Sequence, residues 1–483
     1  MKFCIINYWR LNLKKGIIGV IAALLCFNLY AAKSESITVN LSKLKKSYSV
    51  KNEKKSLSLG GYGSFVEFEI EISKDGEYAI VLEVENSNSL DARTVMKLEK
   101  DKNYFNSQLI MPTEKKEIYV NRICLMEKGN HSFKLSAPFS GFTVNKIVIM
   151  PADDNIKSKI SPAGLVNKNA TEKTKKLYDY LCSMQGKAIL SGQQINESNV
   201  ELNVINETIG KYPAIMGIDL MNYSPAFVEH GARGNIIRRA KAWAKQGGLI
   251  SCSWHWCAPK DLIDEDKPEM RWYDGFRAKA TKFDFSKAIS NHNSEEYKLI
   301  IRDIDAIAVQ LKSLQEADIP VLWRPIHEAS GGWFWWGARG SKNYIELYKI
   351  LYDRLVNYHK LNNLIWVWNA QDAKWYPGDE YVDVLSFDTY PGKRIYKTFD
   401  NELAELQSAT SVPKLYALSE NGPLPDITKL AQQNGIWSWF CTWNGEFVIN
   451  SNEEFSEEYT DLNHFKTFYD NPFVITKDEL PQF

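Results

Sequence analysis

Eight short apolar runs in the second part of the chain constrain its fold more than any other feature. They span residues 187–194, 213–220, 248–256, 320–328, 364–370, 383–390, 414–422 and 435–443. Amphipathic stretches lie between several of them, for example 235–246, 294–317 and 344–361, with apolar residues every three to four positions. Strands that are apolar throughout and alternate with helices are typical of parallel sheets covered on both faces. Eight such units predict an α/β fold, a closed (β/α)₈ TIM barrel over residues 175–483.

The part of the chain before the barrel has a different pattern. Its strand-like stretches are 65–72, 76–86, 131–138 and 141–150. Short strands with turn residues between them predict a small all-β sandwich over residues 37–151. The polar, proline-containing segment 152–174 predicts a linker between the two domains.

The first 32 residues have the pattern of an export signal. Lysines precede an apolar stretch at 16–30, and Ala31-Ala32 offers a small-residue cleavage site. We expect residues 1–32 to be removed, the protein to be exported, and the mature chain to lack a transmembrane span. A membrane anchor is the alternative, although the apolar stretch is short for a spanning helix. Lipidation at Cys26 is a second alternative.

Charge and cysteine content exclude several classes of partner. The chain has 59 lysines plus arginines and 59 aspartates plus glutamates, so no net charge attracts nucleic acid. Five cysteines follow the signal: Cys124, Cys182, Cys252, Cys257 and Cys441. An odd number without Cys-x-x-Cys spacing indicates buried thiols, rather than a disulfide framework or a zinc site. We expect a monomer that binds a neutral partner.

Polar side chains end several of the predicted barrel strands. These are Gln193, Gln194, His255, His327, Glu328, Tyr390, Glu420 and Asn421. Barrel enzymes carry their catalytic residues at the carboxyl ends of the strands, so this pattern predicts an active face.

Two of these side chains are carboxylates, on strands four and seven. Glu328 ends the fourth predicted strand and Glu420 the seventh, which places them on opposite sides of the barrel mouth. Two carboxyl groups that face each other across a bound sugar are the usual catalytic pair of glycosidases. A separation of about 5 to 5.5 Å serves a retaining enzyme, and about 6.5 to 9.5 Å an inverting one. A solvated loop position is the structural alternative for each.

The motifs "WRPIHEASGGWFWWG" and "LSENG", together with "LSGQQ", "SWHW" and "SFDTY", resemble glycoside hydrolase family 26 over residues 176–469. The resemblance implies a retaining β-mannanase that acts on mannan, galactomannan or glucomannan and needs no cofactor or catalytic metal. Ala329-Ser330 stands where the common mannanase pattern has Met-Asn. Another β-glycanase of the family, acting on mixed-linkage β-glucan or β-1,3-xylan, is therefore an alternative, as is a non-catalytic glycan-binding protein.

The same resemblance implies roles for the two carboxylates and for residues beside them. Glu328 is expected to be the acid/base, protonated at rest, and Glu420 the ionised nucleophile. Tyr390 is expected to donate its hydroxyl to the nucleophile. His255 and His327 are expected to hydrogen-bond sugar hydroxyls at the cleaved unit.

The resemblance and the strand pattern also assign aromatic and basic residues. Trp443 is expected to form the floor of the cleaved subsite, and Trp333 to line the cleft. Arg324 shares strand parity with Glu328, so it either reaches the substrate or forms an ion pair inside the barrel. The consecutive Trp335 and Trp336 are expected to pack the loop against the barrel. The tryptophans within strands are expected to be core residues: Trp254, Trp256, Trp366, Trp368, Trp437 and Trp439.

Two further segments leave the mode of action open. The sandwich resembles a carbohydrate-binding module, which would bind sugar through loop aromatics such as Tyr62 or a calcium-assisted site. A packing spacer is the alternative, and a structural calcium is expected only in this domain. Residues 259–293 follow the third strand. If they wall off one end of the cleft, cleavage occurs at chain ends; if they lie flat, it is internal.

Overall fold

The computed structural model describes residues 36–47, 49–53, 55–88, 94–110, 113–152, 164–433 and 435–483. They form two compact units, one up to residue 152 and one from residue 164 onward. The segment 1–32, where the sequence predicts an export signal, lies outside the described residues. None of the described helices is long and apolar enough to cross a membrane.

The first unit consists of antiparallel strands. They are β1 (Ile37–Thr38), β2 (Lys45–Lys46), β3 (Val50–Glu53), β4 (Ser56–Leu59), β5 (Ser64–Ile72), β6 (Gly76–Asn86), β7 (Val95–Lys100), β8 (Asn103–Leu109), β9 (Thr113–Met126), β10 (Gly129–Ala137) and β11 (Phe142–Pro151). One sheet has the order β3-β4-β11-β6-β9, with β1 also paired to β11, and the other has the order β2-β5-β10-β7-β8. The predicted all-β character of this part is confirmed.

The two sheets enclose one apolar core. β5 alternates buried and accessible residues along its length, as expected for a strand with one face packed and one face in water. Phe68 of β5 and Phe133 of β10 are paired across the ladder, with ring centroids 5.3 Å apart. Leu82 of β6 and Ile147 of β11, from the opposite sheet, belong to the same core. The unit is therefore a β-sandwich.

The second unit contains the predicted barrel. Its strands are β12 (Ile189–Leu190), β13 (Gly192–Gln194), β14 (Ile215–Asp219), β15 (Leu249–Trp254), β16 (Val321–Pro325), β17 (Leu364–Trp368), β18 (Val384–Thr389), β19 (Leu415–Asn421), β20 (Trp437–Thr442) and β21 (Val474–Ile475). β12 and β13 are two pieces of the first barrel strand. The strands from β13 to β20 pair in parallel in chain order, and Gln193 pairs with Thr442 to close the circle. The predicted (β/α)₈ barrel is confirmed.

Helices connect the barrel strands. The α-helices are α1 (Glu172–Met184), α2 (Val200–Ile209), α3 (Pro225–Glu229), α4 (Ile236–Lys245), α5 (Ser286–Ser290), α6 (Glu295–Glu316), α7 (Gly340–Tyr352), α8 (Asp400–Gln407), α9 (Ile427–Gln432) and α10 (Leu462–Asp470). α6 shows why they form. The Ser294 side chain accepts a hydrogen bond from the Tyr297 backbone at its start. Its buried residues, including Ile300, Ile304 and Leu311, recur with helical spacing and face the barrel.

Part of the predicted linker packs as part of the barrel unit. Leu165 and Ala170 are buried in the barrel core, and the Val166 N–H donates to the Asp383 carboxylate at 2.7 Å. α1 begins at Glu172, inside the segment 152–174. The polar composition of that segment hides these apolar anchors, so the sequence places the start of the barrel too late. Residues 153–163 lie outside the described part.

The tryptophans within the predicted barrel strands are core residues, as expected, although Trp256 lies just beyond the end of β15. Trp254, Trp256, Trp366, Trp368, Trp437 and Trp439 are all at most 1% exposed. Cys252, Cys257 and Cys441 are buried free thiols. The barrel is therefore filled and rigid, and side chains at its strand ends are held on a fixed frame.

Candidate active site

A cleft of about 620 Å³ opens at the carboxyl ends of the barrel strands. Six of the predicted site residues line it: His255, Glu328, Trp333, Tyr390, Glu420 and Trp443. Each follows or ends a different strand, except that Glu328 and Trp333 share the segment after β16. The predicted active face is therefore one continuous cleft.

The backbone leaves β16 in a strained conformation to present Glu328. Ile326 and Glu328 have positive φ angles of 40° and 51°, which are rare for residues other than glycine. The Glu328 N–H donates to the Asn369 carbonyl at 2.6 Å and to the Asn369 side-chain oxygen at 3.2 Å. These bonds from the end of β17 hold the strained turn and fix the direction of the carboxyl group.

The glycines after Glu328 position an indole beside it. Gly332 has a φ of 72°, and a Cβ on Gly331 would lie 2.0 Å from the Trp333 ring, so neither position tolerates a side chain. Trp333 is 47% exposed, and its Nε1–H donates to Glu328 Oε2 at 2.9 Å. The Gly-Gly pair therefore lets the Trp333 ring fold over the acid and face the cleft.

Trp335 and Trp336 pack the same loop against the barrel, as predicted. Both are at most 1% exposed. Trp335 Nε1 donates to the Trp256 carbonyl at 2.6 Å, and Trp336 Nε1 donates to the His327 carbonyl at 2.8 Å. Of the three tryptophans in this segment, only Trp333 presents its ring to the cleft.

Burial makes Glu328 a carboxyl group that keeps its proton near neutral pH. Burial, and then the nearby Glu420 carboxylate, raise the pKa of Glu328 to about 7. The Arg324 charge, and then the hydrogen bond from the neutral Trp333 indole, offset this rise in pKa only in part. Such a group can serve as a general acid.

Glu420 lies across the cleft and is held by two donors. It is the sixth residue of β19 and is 5% exposed. Arg324 Nη2 donates to Glu420 Oε2 at 2.6 Å, and the Tyr390 hydroxyl donates to Oε1. Burial and the Asp388 carboxylate raise the pKa of Glu420 to about 7 as well, while Arg324 and Tyr390 oppose that rise. A cation and a hydroxyl donate hydrogen bonds to Glu420, whereas Glu328 accepts one from the neutral indole of Trp333, so we assign the proton to Glu328.

The separation of the two carboxyl groups fits one mechanism. One carboxylate oxygen each of Glu328, Asp388 and Glu420 lie within 4.8 Å of one another. An inverting glycosidase needs about 6.5 to 9.5 Å between its acid and base to admit a water molecule. The short separation favours direct attack by Glu420 on the sugar.

Arg324 does not reach the substrate, which corrects one of its two predicted roles. It is fully buried and bridges two carboxylates, Asp388 Oδ2 and Glu420 Oε2, both at 2.6 Å. Its strand parity points it into the barrel interior, where the two acids hold it below the cleft floor. Arg324 therefore positions Glu420 and stabilises its ionised form, as the ion-pair alternative predicts.

Asp388 and Asn369 belong to the site and were missed by the sequence analysis. Asn369 Nδ2 donates to Asp388 Oδ1 at 3.0 Å, and Ser419 Oγ donates to the same oxygen at 2.9 Å. Asp388 thus holds Arg324 from behind, and Asn369 connects this network to the Glu328 backbone. The motif "SFDTY" contained Asp388, but sequence spacing gives no indication that it would meet Arg324 from β16.

His255 is oriented by an aspartate from the neighbouring strand. The ring Nδ1 of His255 lies 2.6 Å from Asp219 Oδ2, and the backbone N–H of His255 donates to Asp219 Oδ1 at 3.1 Å. Burial opposes protonation of His255, but the Asp219 carboxylate outweighs it and raises the pKa of the imidazole. His255 therefore presents a polarised ring to the cleft, and Asp219 is a third residue that the sequence analysis missed.

His327 lies behind His255 instead of facing sugar, which corrects its predicted role. It is 1% exposed, does not line the cleft, and its Nε2 lies 3.2 Å from His255 Nε2. Burial and the Arg324 charge lower the pKa of His327, so it stays neutral. A protonated His255 donates to Asp219 and to His327 at once, which fixes the plane of its ring.

Trp443 completes the cleft between the last strand and the first. The Trp443 N–H donates to the Asn421 carbonyl at 2.8 Å, and Gln193 Nε2 donates to the Trp443 carbonyl at 3.2 Å. Its ring lies 5.9 Å from that of His255, tilted by 62°. This anchored indole lines the cavity beside Glu420, where a sugar ring can stack on it.

The segment 259–293 contributes one wall of the cleft. Tyr273, Asp274, Phe276 and Arg277 line the cavity, so the segment does not lie flat on the barrel. Tyr273 is 52% exposed at the rim. This wall bounds one side of the cleft, so it limits the directions from which a long polysaccharide chain can enter.

Within the described residues, the only converging group of three carboxylate, imidazole or thiolate donors is Glu328, Asp388 and Glu420. The Arg324 guanidinium already occupies one oxygen of Asp388 and one of Glu420, so the geometry serves acid–base chemistry better than metal binding. The calcium expected in the sandwich stays a prediction.

A closed barrel with an acid on its fourth strand and an ionised carboxylate on its seventh defines the class of barrel glycosidases. A sequence model of Glycosyl hydrolase family 26 matches residues 166–479. The chain belongs to this family, as the sequence motifs indicate.

Individual relatives agree with this assignment. Over 74% of this chain and 71% of its own length, a mannan endo-1,4-beta-mannosidase of Thermothelomyces thermophilus is 41% identical. Mannan endo-1,4-beta-mannosidase B of a Piromyces species is 34% identical over 74% of this chain, an alignment that spans 61% of that relative.

Solved structures extend the similarity to both units. A GH26-CBM35 beta-(1,4)-mannanase of Podospora anserina covers 92% of this chain and 99% of its own, with 30% identity and a TM-score of 0.65. A beta-mannanase from a symbiotic protist of the termite Reticulitermes speratus, solved with a gluco-manno-oligosaccharide, covers 66% of this chain and 98% of its own. Its identity is 31% and its TM-score 0.59.

Proposed function

We propose that this protein hydrolyses β-1,4-mannosidic linkages in mannan, galactomannan or glucomannan with retention of anomeric configuration. The observation that carries the proposal is the Glu328–Glu420 pair, of which one oxygen each lies within 4.8 Å of the other at the mouth of a family 26 barrel. The mannan endo-1,4-beta-mannosidase names of its relatives support the choice of substrate.

In the first half of the reaction, Glu420 attacks the anomeric carbon while Glu328 protonates the glycosidic oxygen. The bond from the carbon to the leaving oxygen breaks, and a bond to Glu420 forms, giving a covalent glycosyl-enzyme and a free sugar hydroxyl. Arg324 and Tyr390 hold Glu420 ionised until the attack. The proton that Glu328 gives up neutralises the leaving oxygen.

In the second half, water replaces the departed sugar. Glu328, now ionised, takes a proton from this water, and the water oxygen attacks the anomeric carbon. The bond to Glu420 breaks and Glu420 regains its charge beside Arg324. Two inversions leave the product with the configuration of the substrate, and Glu328 is protonated for the next cycle.

The remaining cleft residues suit a neutral sugar. His255 lines the cleft as a fixed ring, because both of its nitrogens already have partners, Nδ1 with Asp219 and Nε2 with His327. Trp443 and Trp333 offer apolar faces to the C–H surfaces of a sugar ring. The negative charge of Glu420 in the cleft is paired with the buried Arg324, so the substrate does not have to neutralise it.

The test of this proposal is hydrolysis of linear β-1,4-mannan, with mixed-linkage β-glucan and β-1,3-xylan in parallel. We expect cleavage of mannan and retention of configuration when the reaction is followed by proton NMR before mutarotation. Fragments of intermediate size at early times would indicate internal cleavage past the 259–293 wall. Short products alone would indicate cleavage at chain ends. Activity on glucan or xylan alone would replace the substrate and keep the mechanism.

We propose sugar binding as the function of the sandwich unit. Tyr62 lies in the turn between β4 and β5, is 81% exposed, and rests on the edge of Phe139 with ring centroids 6.4 Å apart. An aromatic ring held in this way costs free energy in water and offers a stacking surface for a sugar. The GH26-CBM35 composition of the Podospora relative supports this proposal.

Replacing Tyr62 with alanine is expected to weaken binding of the full chain to insoluble mannan about three- to tenfold, the scale of one aromatic contact. Depletion from solution measures this, and kcat on soluble mannooligosaccharides should not change. Tyr358→Ala, which removes a 62% exposed tyrosine of the barrel unit, serves as the control. Equal binding by the Tyr62 variant and the parent would contradict a role for this ring.

We further propose that the protein is exported, on the strength of the basic and apolar pattern within residues 1–32. N-terminal sequencing of the protein recovered outside the cytoplasm tests this. A first residue at or near position 33 is the expected result, and retention of Met1 would contradict it.

A further inference from the structure

Tyr390 supports the nucleophile from an exposed position. Its hydroxyl donates to Glu420 Oε1, yet the residue is 44% exposed and follows the end of β18. A tyrosine side chain at a strand end can adopt several rotamers, so a stable hydrogen bond to Glu420 requires contacts that fix the ring. The contacts of the ring identify what does so.

The ring of Tyr390 packs against Phe447, from the loop after β20. The two ring centroids are 5.3 Å apart and the planes are tilted by 49°. Gly422, just after β19, allows this approach. A Cβ on Gly422 would lie 3.0 Å from Phe447 and 3.2 Å from Tyr390, closer than such atoms normally come. Both rings therefore pack on the Gly422 backbone, which has no side chain to obstruct them. The Gly422 N–H donates to the Thr389 carbonyl at 3.0 Å and fixes this backbone.

Phe447 is held in turn by its own loop. It ends the 3₁₀ turn Gly445–Phe447, and its other neighbour is Tyr459, with centroids 4.4 Å apart. The Tyr459 hydroxyl donates to Glu446 at 3.2 Å, and the Tyr459 carbonyl accepts from the Arg394 N–H at 2.8 Å. The loop after β20 is thus tied to the loop that carries Tyr390.

From these contacts we propose that Phe447 is a positioning residue, which holds the Tyr390 hydroxyl on Glu420 and affects catalysis through that hydroxyl alone. The inference rests on the proposed hydrolase function and adds a residue outside the cleft to it. Phe447 does not line the cavity, although its loop neighbours Trp443 and Asn444 do. A sugar platform at Phe447 is therefore the less favoured explanation.

A double-mutant cycle on mannan hydrolysis tests the proposal. Tyr390→Phe removes the hydroxyl and is expected to lower kcat about tenfold to a hundredfold, the scale of a hydrogen bond to a charged group. Phe447→Ala is expected to lower kcat about three- to tenfold with little change in KM. In the Tyr390→Phe background, Phe447→Ala should cost less than about twofold, because the hydroxyl it positions is gone.

Two further variants separate positioning from stability. Phe447→Leu keeps most of the ring volume and should recover most of the activity. Phe455→Ala removes the same side chain from the same loop, where it packs on Phe465 and not on Tyr390. It should lower the melting temperature without lowering kcat. Independent, multiplicative losses from Phe447→Ala and Tyr390→Phe, or a rise in KM as the main effect, would overturn the proposal.

A readout without substrate keeps this inference separate from the proposed function. The groups facing Glu420 are Arg324, Asp388, Tyr390, Glu328 and His255. With ¹³C-labelled glutamate, NMR titration should show the Glu420 carboxyl protonating at higher pH in both Tyr390→Phe and Phe447→Ala than in the parent. An unchanged titration in Phe447→Ala overturns the positioning role, even if the parent proves inactive on mannan.

Discussion

Replacing Glu420 with alanine is expected to abolish mannan hydrolysis, lowering kcat/KM by roughly 10⁴-fold or more, the scale of losing a covalent nucleophile. The fold should persist, because Arg324 keeps its second partner, Asp388, at 2.6 Å. The loss therefore reports on the chemical step. Reducing-sugar release and a thermal melt of the same preparation measure the two effects side by side.

Azide distinguishes this role from a merely structural one. In Glu420→Ala the space left by the carboxylate admits a small anion, which can attack the anomeric carbon of a substrate with a 2,4-dinitrophenyl leaving group. The product should be the α-mannosyl azide, because the attack comes from the face that Glu420 occupied. Glu346→Ala on α7, an exposed glutamate paired with Lys349, is the matched control and should retain full activity.

A β-mannosyl azide from Glu420→Ala, or residual hydrolysis within tenfold of the parent, would contradict the assignment of Glu420 as nucleophile. The second result would also revive the glycan-binding alternative, since a binding protein has no need of this carboxylate. A correctly folded variant that is neither active nor rescued by azide would show that Glu420 is needed for hydrolysis but would not show that it is the nucleophile.

The barrel could be predicted because its signal is local and repeated. Runs such as 364–370 and 435–443 are apolar at nearly every position, and this is how a strand covered on both faces appears in a sequence. The observed strands Leu364–Trp368 and Trp437–Thr442 fall within them. The sandwich strands were harder to find, because β1 and β2 contain only two residues each and their pairing depends on distant partners.

The catalytic pair could be predicted, but its supporting network could not. Glu328 and Glu420 end apolar strands, and that position is visible in the sequence. The ion pair of Arg324 with Asp388 joins β16 to β18, across a distance of 64 residues, and no local pattern encodes it. For the same reason His327 was assigned to sugar, although the turn after Pro325 directs it behind His255.

The backbone of this turn is the feature least accessible to sequence reasoning. The run 320–328 suggests a strand that continues to Glu328, yet β16 ends at Pro325 and Ile326 takes a positive φ of 40°. A β-branched residue is strained there, and the hydrogen bonds that the Glu328 N–H donates to Asn369, with the bond from Trp336 to the His327 carbonyl, hold the turn. The acid is thereby lifted out of the strand and placed within 4.8 Å of the nucleophile.

This placement gives the two carboxyl groups different charges in the same cleft. Glu420 accepts hydrogen bonds from a cation and a hydroxyl, whereas Glu328 accepts one from a neutral indole, feels Arg324 without bonding to it, and faces the negative charge of Glu420. Burial raises the pKa of both, and the unequal partners decide which one keeps the proton. The pH dependence of the reaction should follow from this difference.

Because catalysis needs Glu328 protonated, kcat/KM of the parent should fall as the pH rises through about 7, the pKa that burial and Glu420 give this group. Glu420→Gln should lower the pKa of Glu328, since it removes the neighbouring negative charge. NMR titration of the labelled glutamates measures this in the inactive variant. An unchanged Glu328 titration would contradict the coupling between the two groups.

Glu328→Ala is expected to lower kcat/KM on mannan about 10²- to 10⁴-fold and to remove the fall in rate above pH 7. The loss should depend on the leaving group. A 2,4-dinitrophenyl β-mannobioside needs no proton to depart, so its first turnover should stay fast and the glycosyl-enzyme should accumulate as a burst. Azide should then release the β-mannobiosyl azide, because it attacks an intermediate already inverted once. Equal losses on mannan and on the activated substrate would show that Glu328 supports the site without acting as its acid.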